Sequence, residues 1–203
     1  MDAIETIEYR DFEIKIYPDE MAENPRDWDN LCTMTCFHKR YHLGDKHEYN
    51  DHDFTSWSEF LEYLNKEKHP YLIQPLFMID HSGISINMHG FSYCDPQGWD
   101  WGQVGYIWVT REQLLREYGG KRISPKIKAI ASRVMAGEVE TYDMFLKGEV
   151  YGYTIDDLDS CWGYYGYDHE KSGLMESARE AIDGYYDETE EMRAVANMEE
   201  VGG

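Results

Sequence analysis

Residues 31–47, LCTMTCFHKRYHLGDKH, gather two cysteines and three histidines, the side-chain types that bind zinc. Thiolates at Cys32 and Cys36 with imidazoles at His38, His42 and His47 would make a metal centre if the chain wrapped them round one ion. The local pattern opposes that. Thr33 and Thr35 alternate with Met34 and Cys36, which predicts a strand over 32–38 with Cys32, Met34, Cys36 and His38 on one face. At a rise of ~3.3 Å per residue the two cysteines of an extended segment stand ~13 Å apart, too far to share an ion. Cys94 and Cys161 are single and distant, so no second cysteine pair completes a four-ligand site. The next segment, HEYNDHDF (47–54), keeps a second option open. His42, His47, Asp51 and His52, within the His/Asp/Glu segment 38–53, are ligand types suited to a divalent cation and would serve a metal-dependent hydrolase or nuclease. The competing reading is a solvated acidic loop with no fixed geometry.

Other chemistry is weaker. Asp80, His81 and Ser82 are the residue types of a hydrolase triad, but triad members meet through space and sequence neighbours rarely face one another, so DHSG (80–83) reads as a turn. Gly98, Gly102 and Gly105 lack phosphate-loop spacing and the lysine that should follow. No catalytic residue and no cofactor is assigned, and the chain reads as a binding protein before an enzyme.

The elements that must position these residues follow from periodicity. Phe12, Ile14 and Ile16 alternate as a half-buried strand. Ser56 to Glu59 has capping-box spacing, and Trp57, Phe60, Leu61 and Leu64 continue it as an amphipathic helix to Lys68. Strands are expected over 71–79, where Pro75 marks an edge or bulge, over 84–88, and over 104–109, an apolar run that suits a central position. Helices are expected at 110–119, 124–137, where Gly137 is the stop, and 138–147. A hairpin turns at DDLD (156–159), and a last helix starts near Asp168. The sum is an α+β single domain over 1–186, a largely antiparallel mixed sheet of six to seven strands with about five helices, and an acidic, flexible tail over 187–203.

The chain of 203 residues is 42% hydrophobic and 15% aromatic, enough to fold, and its net charge is −21. Such a charge repels nucleic acid and anionic membranes and favours basic protein surfaces. No apolar run reaches membrane-spanning length, and the acidic start MDAIE has no signal-peptide character. The charge is uneven. Residues 111–136 hold 7 basic and 2 acidic side chains, whereas 137–203 hold 4 and 18. A basic middle and an acidic end would also allow homo-oligomers.

The strings FHKRYHLGDKH, DHSGISI, WDWGQVGYIWV, RISPKI, GEVETYD, GEVYGY and LDSCWGYYG, spread over about residues 26–166, together resemble a family of small uncharacterised proteins encoded by bacteriophages, prophages and mobile elements. That resemblance implies an accessory protein acting in the bacterial cytoplasm. It supplies no catalytic residue.

On a helical wheel Glu176, Glu180, Asp183, Asp187, Glu190 and Glu191 fall within about 100° of arc, opposite Leu174, Ala178, Ile182 and Tyr185. Successive acids are then ~5 Å apart along the axis, comparable with the ~3.4 Å phosphate repeat of one DNA strand. This array, the acidic turn Asp156, Asp157 and Asp159, and the aromatic anchors Tyr164, Tyr165, Tyr185 and Tyr186 suggest a nucleic-acid mimic. Its expected role is to inhibit a host defence protein, of CRISPR or restriction type, or another nucleic-acid-binding protein. The competing accounts are a solvated helix face, the metal-dependent hydrolase, and a virion or assembly component.

Overall fold

The computed structural model describes residues 2–50 and 52–201, with side chains through Glu190 and at Met192. The chain forms two compact units, Met1–Ala22 with Gly148–Gly203, and Glu23–Lys147.

The first unit is a four-stranded antiparallel sheet with a helix on one face. Strands β1 (Glu5–Tyr9) and β2 (Phe12–Pro18) form a hairpin whose turn is Arg10-Asp11, with Arg10 at φ 53°. The helix on this sheet begins at Leu174, and its Leu174, Met175, Ala178 and Ile182 pack on Ile14 and Ile16 of β2.

The second unit holds its own sheet between helices. It opens with a 3-10 turn at Pro25–Asp27, capped by the Asn24 side chain, and runs into β3 (Thr33–Cys36). Helix α1 (Trp57–Glu67) has Ser56 as its cap, and the Glu59 carboxylate takes the Thr55 N–H and hydroxyl at 2.7 Å each. Strands β4 (Pro70–Asp80), β5 (Ile84–Asn87) and β6 (Trp101–Thr110) follow, in the sheet order β3-β6-β4-β5. β6 is central and buried from Val104 to Val109, as an unbroken apolar run requires. β5 pairs only with Phe77–Asp80, and a register shift follows Leu76, so Pro75 sits beside an open edge and next to a bulge. Helices α2 (Arg111–Tyr118), with a complete Thr110–Gln113 capping box, and α3 (Pro125–Lys147) follow. Leu114, Ala131, Met135, Val139 and Tyr142 from these helices cover one sheet face, and Phe60 and Leu64 of α1 cover the other against Tyr106 and Trp108.

The chain then returns to the first unit as β7 (Val150–Ile155), β8 (Asp159–Tyr165) and α4 (Leu174–Val201), completing the order β1-β2-β7-β8. Among the described residues there are eight strands in two antiparallel sheets and four α-helices, an α+β fold. The expected counts, seven strands at most in one sheet and five helices, change for two reasons. β1 was not foreseen because only Ile7 and Tyr9 of its five side chains are even partly buried. The helices expected at 124–137 and 138–147 are one, because an interior glycine costs only ~1 kcal/mol and Met135, Val139 and Tyr142 anchor the helix on both sides of Gly137. The last helix starts at Leu174 instead of near Asp168, since Asp168 caps a short turn and Gly173, at φ 83°, interrupts it. Its helical backbone runs through 187–201, where a tail was expected. No helix among the described residues is long and apolar enough to cross a membrane.

Candidate functional site

The cysteine–histidine stretch is built as a strand and a pinned loop. Cys32, Met34 and Cys36 all point into the core, and burial pushes both thiols up to about 12, so neither is a thiolate near neutral pH. The loop folds back on the strand. Gly44 bridges Thr35 and its N–H bonds the Tyr142 hydroxyl at 3.0 Å. Asp45 accepts the Met34 N–H at 2.8 Å. His47 Nε2 lies 2.8 Å from the Cys36 carbonyl, with its ring 5.0 Å from Phe37.

Of the proposed metal ligands, His47 uses Nε2 on the Cys36 carbonyl while its Nδ1 is buried without a hydrogen-bond partner among the described residues, and His42 and His52 are exposed. Asp51 lies outside the described residues. No group of three or more His, Cys, Asp or Glu side chains suited to a metal occurs among the described residues.

What occupies this region instead is a buried ion triad. The Arg26 side chain, 2% exposed, donates Nε and Nη2 to Asp45 at 2.7 and 3.0 Å, Nη1 to Glu138 at 3.0 Å, and Nη2 to the Cys32 carbonyl at 2.8 Å. Glu138 also takes the Leu31 and Cys32 N–H groups at 2.9 and 3.2 Å. The 3-10 turn, β3, the 44–47 loop and α3 are thereby tied at one point. Sequence periodicity carried no sign of it, since Arg26, Asp45 and Glu138 are scattered polar residues.

The acidic side chains gather on the first unit. Residues 1–22 with 148–203 hold 22 acidic and 5 basic side chains, net −17, against −4 for residues 23–147. On α4, Glu176, Glu180, Asp187 and Glu190 are exposed and form no ion pair among the described residues. Asp183 differs. It pairs with Arg10 at 3.0 Å and accepts the Tyr9 hydroxyl at 3.2 Å, so it fastens α4 to β1. The side chain of Glu191 lies outside the described residues. At the β7–β8 turn Asp157 is exposed with φ 59°, Asp156 pairs with Lys15 at 2.5 Å, and Asp159 accepts the Tyr153 hydroxyl at 2.7 Å.

The expected aromatic anchors are partly reassigned. Tyr164 packs into the core beside Tyr153, Tyr165 is half-buried, and Tyr186 donates its hydroxyl to Asp11 at 2.8 Å. Tyr185, expected on the docking stripe, is 45% exposed at the sheet's end, edge-on to Phe12. Trp162 and Tyr167, at 47% and 73%, are the further exposed rings. Trp162 was missed because a bulge sets Trp162 and Gly163 opposite Gly152. The indole then covers Gly152, where a Cβ would lie 2.3 Å from the ring.

The second unit carries an open aromatic cleft of ≈ 710 Å³, lined by Phe37, Phe54, Trp57 and Phe60 with His38, Lys39 and Arg40 at its rim. Comparison with family models, curated proteins and solved structures found no match.

Proposed function

We propose that this chain is an accessory interaction protein, of the kind carried by phages and mobile elements, that inhibits a nucleic-acid-binding protein of the host by occupying its basic surface. A defence enzyme of CRISPR or restriction type is the favoured target class. The observation that carries the reading is the row Glu176, Glu180, Asp187 and Glu190, exposed on one side of α4 without cationic partners among the described residues, in a unit of net charge −17. Carboxylates fixed on a helix are a preorganised anionic array, and an array of that kind speeds encounter with a cationic groove. Trp162, Tyr167 and Tyr185 supply exposed apolar area on the same unit, the type of contact that slows dissociation.

The test is charge reversal. A variant with Glu176, Glu180, Asp187 and Glu190 all changed to Lys should lose capture of a basic nucleic-acid-binding partner while its thermal midpoint stays within a few degrees of wild type. Asp183 is left intact because its bond to Arg10 and Tyr9 holds the fold. Capture that survives the reversal rejects the reading.

A further inference from the structure

The aromatic cleft of the second unit departs from the charge of the rest of the molecule. Other clefts are lined by carboxylates: Asp29, Glu117 and Glu138 in one, Asp11 and Glu190 in a second, Asp53, Glu59 and Glu62 in a third. In a chain with 40 acidic side chains, the nine residues lining the ≈ 710 Å³ cleft include none, and they include Lys39 and Arg40. Its size falls within the roughly 300–1,000 Å³ typical of small-molecule sites.

We propose that this cleft binds a small planar aromatic anion of the nucleoside monophosphate class, with the ring against Trp57 and Phe37 and the anionic group at Lys39 and Arg40. Four aromatic side chains converge there. Phe37 lies 6.0 Å from Trp57 and 5.1 Å from Phe60, and Phe54 lies 4.7 Å from Phe60, so the floor is held rigid by its own packing. Flat rings stack on such a floor whatever their identity, which favours a π-faced ligand over an aliphatic one. Lys39 is exposed and has no ion pair among the described residues. Arg40 is held at the rim by Asp80 and by the Tyr41 ring, 5.3 Å from its guanidinium, and keeps further N–H donors for an anion. His38 stacks on Tyr41 at 5.0 Å, and burial with the Arg40 charge lowers its pKa, so it adds a neutral ring edge. Glu59, in the first turn of α1, is turned to the Thr55 N–H and hydroxyl and lines a different cleft.

This inference rests on the second unit and is independent of the acidic surface of the first. Calorimetric titration of the full chain with AMP, GMP, CMP and UMP, with adenosine and inorganic phosphate as partial ligands, tests it. The expected result is saturable one-site binding of at least one monophosphate, at least ~10-fold weaker binding of its nucleoside, and no displacement by inorganic phosphate. Lys39→Glu should weaken monophosphate binding at least ~10-fold and leave the nucleoside within about 2-fold, at an unchanged melting temperature. Trp57→Leu should weaken both ligands. If that variant does not fold, a ligand-dependent shift of the Trp57 indole N–H resonance in the wild-type chain takes its place. No saturable binding of any of the four monophosphates up to about 5 mM, unchanged affinity in folded Lys39→Glu, or an unmoved Trp57 resonance at saturation overturns the proposal.

Discussion

Arg26 is the side chain with the most at stake. Its guanidinium satisfies two carboxylates and a backbone carbonyl in a place with almost no solvent, and both carboxylates also accept backbone N–H groups. Removing one partner of a buried charge network strands the others, at about 3–5 kcal/mol. Arg26→Ala is therefore expected to lower the urea unfolding free energy by that amount, and a loss below ~1 kcal/mol would show the triad behaves as a surface pair. Gly44 is a second sensitive position. Its φ is +71°, and an added Cβ would lie 2.5 Å from the Met34 carbonyl oxygen, so Gly44→Ala should destabilise by roughly 1–3 kcal/mol in the same assay. Gly44 and the two carboxylates that hold Arg26 belong to the strings that suggested the phage-type resemblance. In FHKRYHLGDKH and GEVETYD, Gly44, Asp45, Glu138 and Tyr142 all tie the chain together.

At the scale of elements, the loop before β6 is organised by one carboxylate. Asp95 accepts the N–H groups of Asp100, Trp99 and Gly98 at 2.9, 2.6 and 3.2 Å, and these bonds hold its pKa below the usual carboxylate range. A depressed folded pKa means the contribution is complete above the ordinary aspartate value and is lost as pH falls through the lower, folded one. The amide resonances of Trp99 and Asp100 should therefore move together in that acidic window, and Asp95→Asn should abolish the transition. On α4 the division of labour is between faces. Ile182→Ala should cost about 2–5 kcal/mol, whereas Glu180→Ala should stay within about 0.5 kcal/mol, both read by denaturant unfolding. Most elements were legible in the sequence because their apolar spacing is local: β2, β6, α1 and the 150–165 hairpin. What was not legible depended on partners distant in the chain. β1 exists because β2 offers it an edge, α3 stays continuous across Gly137 because the sheet beneath it does, and Trp162 is exposed while Tyr164 packs inward because the β7–β8 ladder bulges there. The acidic face of α4 was readable from its wheel, but the role of Asp183 within the fold was not. The aromatic cleft was missed altogether, since its rings come from Phe37 just after β3, the 47–56 loop and α1.

For the molecule as a whole, the decisive quantity is an uneven charge. A unit of net −17 repels itself, and screening within a Debye length of ~10 Å at 0.1 M salt should relieve the repulsion. The melting temperature is expected to rise between about 20 mM and 0.5 M sodium chloride, as scanning calorimetry would show, and the four-lysine variant should flatten that rise. On the proposed reading the chain works by offering fixed negative charge to a basic partner. The most direct measurement is capture of host-lysate proteins on the immobilised wild-type chain and on the variant with Glu176, Glu180, Asp187 and Glu190 changed to Lys, with duplex DNA as competitor. The expected result is a nucleic-acid-binding protein retained by the wild type alone and released by both salt and DNA. A partner held equally by both chains, or one that DNA does not displace, would contradict it.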